Sequence, residues 1–449
     1  MELNRRFRLG PRDRVALVGA GGKTSLMFQL ARDYGTRVIC TTTTHLALDQ
    51  LQGADRHLSV EDPSQLPGLE DHFPEDVLLV TGPEVETNRV SGPGPAVMEK
   101  LVGLAAAWDC PLLIEADGAR KLPLKAPADH EPPIPDFVDA VIVVIGLSGL
   151  GKPLLADWVH RPELYSRLVD LPLGRVLESE HLVRGLVSPE GGLKNIPPGA
   201  RKILFINQVD SFPNWKTFYQ YKDQLLEHYQ AIGFGVLADG MLLEVHERIA
   251  GVVLAAGGST RFGEPKQLLD WFGKPLVRHA VDLAREGGLA PVLAITGADH
   301  DSVADALGGA QARIVVNPAW ASGQSTSVRA AVEALPDSVG GAVFLLVDQP
   351  LVTPDLIGKL LKTHQRSPAA IILPQVGNRA GNPVLFDRRV FDHLKELGGD
   401  IGGRALFKEF PPKKIPWDDS RSQLDIDTPE DYQQIRLAQD QGGRGSISG

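Results

Sequence analysis

From Val252 to Leu269 the chain reads VVLAAGGSTRFGEPKQLL. A short apolar strand, Val252 to Leu254, runs through Ala255 and Ala256 into Gly257, Gly258 and Ser259, and two cations, Arg261 and Lys266, follow at once. A strand that ends in a glycine loop exposes backbone N–H groups able to cradle an anion. With two cations beyond it to neutralise a polyphosphate, the stretch has the makings of a nucleoside triphosphate site. A second glycine loop lies near the start, where VALVGAGGKTS sets Gly19, Gly21, Gly22, Lys23 and Thr24 between a predicted strand and a predicted helix. The standard phosphate loop is G-x-x-x-x-G-K-[ST]. Here the first glycine comes two residues too close, yet the chemistry is kept. Backbone N–H groups serve the phosphate, Lys23 the β- and γ-phosphates, and Thr24 a Mg2+ ion.

Carboxylates complete both sets. Asp348 ends an apolar strand that Pro350 stops, and a carboxylate at the C-terminal end of a parallel strand points into the ligand crevice of an open sheet. Mg2+ takes one or two carboxylates together with phosphates and water, so Asp348 is the first expected metal ligand. The second comes from Asp427 or Asp425, which strand-like alternation places on one face, and both can contribute. Asp427 has a competing use as the cap of a helix starting at Thr428-Pro429.

These residues need strands to carry them, and the chain supplies two series. With 449 residues, two domains of roughly 200 residues each are expected, and 43% apolar content is enough to fill their cores. The first series predicts strands at Val15–Val18, Arg37–Cys40, Val77–Val80, Leu112–Ile114, Ala140–Ile145 and Lys202–Ile206. The second predicts strands at Val252–Leu254, Val292–Ile295, Arg313–Val316, Val343–Val347, Ala370–Leu373 and Pro383–Phe386, with helices near 275–286, 325–334, 354–364 and 428–437. Alternation of strand and helix predicts α/β folds with mostly parallel sheets. The expected division is a P-loop-like nucleotide-binding domain over 1–246, a Rossmann-like domain over 247–438 and a disordered tail over 439–449. The Pro-rich stretch Lys121–Pro135 reads as a long surface loop.

Composition bounds the partners. A net charge of −10 without a long basic run argues against nucleic acid. The longest apolar runs, such as Ala140 to Ile145, are far too short to span a membrane, and the N-terminal residues lack the apolar stretch of a signal peptide. Only Cys40 and Cys110 occur, so no disulfide framework is expected and a reducing cytoplasm fits.

The second half resembles the molybdenum cofactor cytidylyltransferase group within the MobA-like NTP transferase family, of nucleotide-diphospho-sugar transferase type. The likeness rests on LAAGGSTRFGEPKQLL, GKPLV, NPAWASGQSTSVR, LLVDQP, GNRAGNPVLF and DIDTPEDY, in that order. It implies transfer of CMP from CTP to molybdopterin with release of pyrophosphate, using Mg2+, for which Mn2+ can stand in. Gly257, Gly258 and Arg261 would hold the β- and γ-phosphates and Lys266 would stabilise charge at the α-phosphate, while Ala255, Ala256 and Ser259 complete the loop. Gln324 and Ser325 would lie near base and sugar, with Ser325 also suited to cap its helix. Gly381, Asn382 and Arg404 would face the acceptor. Guanylyltransferase relatives carry Gly-Gly where this chain has Ala255-Ala256 and Asp where Pro265 stands, which favours the cytidylyl pattern. A guanylyltransferase, a sugar-phosphate nucleotidyltransferase and a non-catalytic cofactor chaperone are the alternatives.

In the first half, Thr41 to Thr44 stand where a switch segment would supply a hydroxyl, and Glu115-Ala116-Asp117 where a metal-side carboxylate belongs. Asn207-Gln208-Val209-Asp210 resembles the Asn-Lys-x-Asp guanine-reading motif with Gln in place of Lys. Gly146 to Lys152, with Gly149 and Gly151, also looks P-loop-like but has Pro153 in the hydroxyl position. His45, His130 and His160 show no metal-ligand spacing. GAGGKTS, TTTTH and EADGARKLPLKAP resemble the accessory-protein family of selenium-dependent molybdenum hydroxylases. The glycine loop and the Asn207–Asp210 motif point to a purine nucleotide in the first domain, and the likeness implies a molybdenum hydroxylase apoenzyme as partner.

Overall fold

A computed structural model describes residues 2–66, 76–86, 88–211, 215–259 and 262–444. Two compact units divide the chain, Met1–His246 and Glu247–Gly449.

In the first unit the central strand is Arg14–Gly19, flanked by Ala140–Gly146 and Leu112–Glu115. Arg201–Asn207 and then Ala231–Val236 extend one side, and Val38–Thr42, Val77–Thr81 and Arg56–Ser59 extend the other, all paired in parallel. Alternation along the central strand separates two cores. Ala16 and Val18 enter one, with helix Pro95–Ala107 packing on it through Val97, Leu101 and Leu104. Val15 and Leu17 enter the other, covered by helix Lys23–Tyr34 through Leu26, Met27 and Leu30. Each such fully buried leucine contributes about 1.5–3 kcal/mol of apolar burial. The strand ends that carry the glycine loop, Glu115 and Asn207 therefore share one edge of the sheet.

Two local expectations change here. The stretch Lys121–Pro135 is only in part a surface loop: Lys121, Asp129, His130 and Pro133 are exposed, but Leu124 and Ala126 are buried, and Leu124 pairs with Val159 in a short parallel ladder. Strands Arg56–Ser59 and Ala231–Val236 were not expected from the pattern. The first is mostly solvent-facing and the second, AIGFGV, is interrupted by glycines.

In the second unit, strand Met241–Ala255 contributes its latter part to a sheet with Val339–Leu346 on one side and Val292–Thr296, then Arg313–Val316, on the other, all parallel. Beyond Val339–Leu346, Val384–Asp387 is antiparallel to both its neighbours, and Ile371–Val376 and Lys413–Pro416 follow. Helices Leu276–Glu286 and Pro354–Arg366 pack on one face, and helix Gln324–Ala334 and Phe391–Lys395 on the other. Helix Pro429–Arg444 runs past Gln439, so the tail expected to be disordered is helical as far as Arg444, in keeping with the helix-forming Ala438, Gln439 and Gln441. Among the described residues no helix is long and apolar enough to cross a membrane. Both cysteines are buried free thiols, Cys40 in the strand Val38–Thr42 and Cys110 just ahead of Leu112–Glu115.

Candidate functional site

The glycine loop of the second unit is held by one buried side chain. Gln267 is only 2% exposed, and its Nε2 donates to the carbonyls of Gly257 (2.6 Å) and Ala255 (3.1 Å). Its Oε1 accepts from the Ser259 hydroxyl at 3.3 Å, and the Ser259 hydroxyl oxygen accepts from Lys266 N at 3.0 Å. Ser259 sits at φ 47°, which turns the chain sharply after Gly258. The loop is thus tied to the segment that carries Lys266. Gly258 lies against the Trp320 indole, 3.0 Å from where a Cβ would sit, so only glycine fits there without displacing the ring. Gly257 has open space around the same position. Ala255 and Ala256 shape the loop from behind: their methyl groups are buried in opposite cores, and the Ala256 carbonyl accepts from Ala298 N. Arg261 lies outside the described residues.

Lys266 is where distant segments converge. Its Nζ donates to the Ile426 carbonyl at 2.7 Å and lies 3.2 Å from Asp427 Oδ1 and 3.3 Å from Asp348 Oδ2. Asp348 stands two residues beyond Val339–Leu346, and Ile426 N donates to its carbonyl, which pins the DIDTP segment to that strand end. Burial pushes the Asp348 carboxyl above the usual carboxylate range; Lys266 works against this and the charge of Asp425 adds to it. Asp425 accepts from Gln349 Nε2 at 2.6 Å. Asp427 does not cap the last helix. Thr428 and Asp431 do so reciprocally, Thr428 N donating to Asp431 Oδ2 (2.8 Å) and Asp431 N to Thr428 Oγ1 (3.2 Å). Among the described residues no group of three or more His, Cys, Asp or Glu side chains is placed to hold a metal. Two carboxylates joined by phosphate oxygens are what Mg2+ takes at such a site.

Gln324 and Ser325 meet the loop after Leu397. Ser325 Oγ donates to Gly399 O at 2.7 Å, Gln324 N donates to Asp400 Oδ1 at 3.3 Å, and Gly323 at φ 113° packs on the Gly399 carbonyl. The Ser325 hydroxyl therefore ties two loops together and does not cap its helix. Gly381 packs against Gln423, just ahead of Asp425. Val384 pairs with Phe344, so Asn382 stands at the sheet edge that carries Asp348. Arg404 is exposed in the short turn Gly403–Phe407, without an ion-pair partner among the described residues.

The glycine loop of the first unit is built for close approach. Gly19, Gly21 and Gly22 have φ of 95°, 76° and 128°, and a Cβ on Gly19 or Gly21 would strike the backbone of Val144 or Gly146. Lys23, at the first turn of its helix, is buried; its Nζ donates to Gly19 O at 2.9 Å and lies 3.2 Å from Asp117 Oδ1 and 3.7 Å from Glu115 Oε1. Burial opposes its charge, but Asp117 and Glu115 outweigh burial and hold its pKa above the ordinary value. Glu115, by contrast, is pushed upward by burial.

Of the two carboxylates at the end of the Leu112–Glu115 strand, Glu115 is the one beside Thr24, accepting from its hydroxyl at 2.7 Å. Asp117 instead accepts from Gly19 N at 3.0 Å and from Lys125 at 2.9 Å. Lys125 also donates to Gly118 O and Glu131, and Glu131 takes a two-point contact from Arg161. This network holds the inner part of the Pro-rich stretch against the sheet. Beside Gly19, Ala20 and Asp117 lies a cavity of about 50 Å3, lined otherwise mainly by apolar groups such as Leu168, Leu182 and Leu186. The Asn207 side chain bridges two backbones, donating to Gly21 O (2.6 Å) and accepting from Leu237 N (3.0 Å), while Asp210 is exposed. The hydroxyls of Thr41 and Thr42 donate to Val80 O and Glu115 O within the sheet, so neither points to a ligand. Lys152 stacks on Trp158, and burial together with Arg161 lowers the His160 pKa to about 4.

A parallel-dominated sheet whose first strand ends in a glycine loop, with a lysine bridging two carboxylates at the same edge, defines the second unit as a domain of nucleotidyltransferase type. Residues 251–414 match the MobA-like NTP transferase domain and residues 15–163 the YqeC protein family. The protein YqeC of Escherichia coli (strain K12) is 36% identical over 207 residues, 44% of this chain and 77% of that protein. The chain belongs to the YqeC family, with a MobA-like NTP transferase domain following the YqeC unit. Nicotine blue oxidoreductase of Paenarthrobacter nicotinovorans is 31% identical over 192 residues, 40% of this chain and 93% of that protein. Among solved structures, Rv0371c of Mycobacterium tuberculosis H37Rv has 30% identity and a TM-score of 0.39, covering 42% of this chain and 98% of that one.

Proposed function

We propose that the protein is a molybdenum cofactor cytidylyltransferase, moving CMP from CTP to the terminal phosphate of molybdopterin in the cytoplasm. The observation that carries this reading is the meeting of Lys266 with Asp348 and Asp427 beside the loop that Gln267 fixes. An acceptor phosphate oxygen attacks the α-phosphorus, the bond to the β-phosphate breaks, and pyrophosphate leaves. The N–H groups around Gly257–Ser259 and Arg261 hold the β- and γ-phosphates in line, and Lys266 offsets charge that develops at the α-phosphate. Asp348 and Asp427 already share one cation, the Lys266 ammonium, so the pair suits a divalent cation, Mg2+ or Mn2+, which would neutralise phosphate charge there. Gln324 and Ser325 border the nucleoside side, and Gly381, Asn382 and Arg404 the acceptor side. Ala255-Ala256 and Pro265 support CTP over GTP through the family pattern alone.

The first unit is assigned a purine nucleotide at the loop Gly19–Thr24, with Glu115 and Thr24 toward a cation and Asp210 toward the base. Its proposed partner is a molybdenum hydroxylase apoenzyme that receives the finished cofactor. Fusion in one chain keeps two such activities at high effective concentration. Pyrophosphate release measured with each NTP in the presence of molybdopterin tests the central claim. Release with CTP and not with GTP is expected; release with GTP alone makes the protein a guanylyltransferase, and none with any NTP makes it a non-catalytic binder.

A further inference from the structure

The Lys266 ammonium lies between the carboxylates that a divalent cation would need. Three acceptors hold it there: Ile426 O at 2.7 Å, Asp427 Oδ1 at 3.2 Å and Asp348 Oδ2 at 3.3 Å. Two of these arise from a segment more than 150 positions away in sequence, pinned by the Ile426 N–H to Asp348 O bond, so the seat is built by the fold. Lys266 is also tethered at its backbone, where its N–H donates to the Ser259 hydroxyl. Its amide is fixed to the glycine loop while its four-carbon side chain reaches the carboxylates, a geometry that lets the ammonium swing without moving the loop.

We infer that Lys266 is a resident counter-ion that keeps a divalent cation off Asp348 and Asp427 until a nucleotide triphosphate enters, and that the phosphates then draw it away and open the carboxylates. This rests on the nucleotidyltransferase reading of the site and adds an order of assembly: nucleotide first, or together with its metal, with metal alone disfavoured. The driving force is exchange of partners for one cation. A carboxylate pair that has lost the lysine faces the triphosphate with uncompensated negative charge, which a divalent cation relieves. The lysine meanwhile gains phosphate oxygens carrying more charge than the carboxylates it leaves.

Mn2+ binding to the full chain, followed by electron paramagnetic resonance of the free ion, tests this without reference to turnover. Without nucleotide the unaltered protein should bind Mn2+ weakly. Lys266→Met should bind it about tenfold more tightly if the ammonium is seated for about nine-tenths of the time. Lys266→Arg, which keeps a cation in the seat, should remain weak. Lys266→Met combined with Asp348→Asn should lose the gain, locating the new affinity. Adding a CTP analogue with a methylene bridge between α and β should raise Mn2+ affinity in the unaltered protein beyond that of the analogue alone. Unchanged or weaker Mn2+ binding in Lys266→Met, with nucleotide-dependent binding still abolished by Asp348→Asn, overturns the counter-ion role and leaves the metal assignment standing. Absence of Mn2+ binding in every variant, with and without the analogue, overturns the metal assignment and this inference with it.

Discussion

At the scale of single residues, charge held in place by burial decides what can be tested. Asp348→Asn should abolish cytidylyl transfer while leaving the fold intact, because the amide is isosteric with the carboxylate and the side chain, 25% exposed beside Lys266, is only partly buried. Near-normal turnover at saturating Mg2+ would remove Asp348 from the metal site. Lys266→Ala should lower kcat by about a hundredfold or more with a smaller change in KM for CTP, since its charge counts most in the transition state. A change confined to KM would assign it to ground-state binding. Glu131 offers a test of pH dependence. Burial would raise its pKa, but hydrogen bonds from Arg161 and Lys125 prevail and bring it down to about 2. A depressed carboxylate pKa stabilises the fold above the ordinary value and loses that contribution as pH falls toward the folded one. Urea unfolding should therefore show stability falling between about pH 4.5 and about pH 2, and Glu131→Gln should flatten that part of the profile. An unaltered profile in Glu131→Gln would mean that the contact is not linked to folding.

At the scale of elements, the loops are what the sequence displayed and the staples are what it concealed. Gln267→Leu keeps the volume near the loop but leaves the Ala255 and Gly257 carbonyls without their donor, a loss of about 1–3 kcal/mol for buried groups. The variant should stay folded with a KM for CTP raised about tenfold, following from that loss of loop order; an unchanged KM would show that the loop holds its shape unaided. The glycines of both loops, with Lys23 and Lys266, stood out in the sequence because phosphate chemistry demands those residue types close together. Asp348 and Asp427 were legible as carboxylates at a strand end and a helix entry. Gln267 was not, since its partners are backbone carbonyls that any sequence supplies. The partial burial of Lys121–Pro135 was hidden for a related reason. Proline and charge suggest a solvent-facing loop, and only the pairing of Lys125 with Asp117 and Glu131 reverses that. Strand positions in the cores followed from apolar runs, whereas Arg56–Ser59 has almost none to show. That Glu115 and not Asp117 lies beside Thr24 turns on which of two residues faces a given helix, and spacing alone leaves that open.

At the scale of the whole molecule, each unit has its own pair of cores and its own glycine loop. A fragment beginning near residue 247 should fold and retain CTP-dependent transfer. Lys23→Ala in the full chain should remove purine-nucleotide binding without abolishing that transfer. Loss of transfer in both would mean that one composite site replaces two separate ones. The two thiols offer a way to follow one unit while ignoring the other. Cys40 and Cys110 belong to the first unit, and the second has no cysteine. Burial raises both thiol pKa values, that of Cys110 to about 11, so neither reacts while the surrounding core stays closed. Alkylation rates in the native protein thus clock the opening of the YqeC unit alone, and any slowing caused by a nucleotide analogue identifies which of the two loops that analogue has entered.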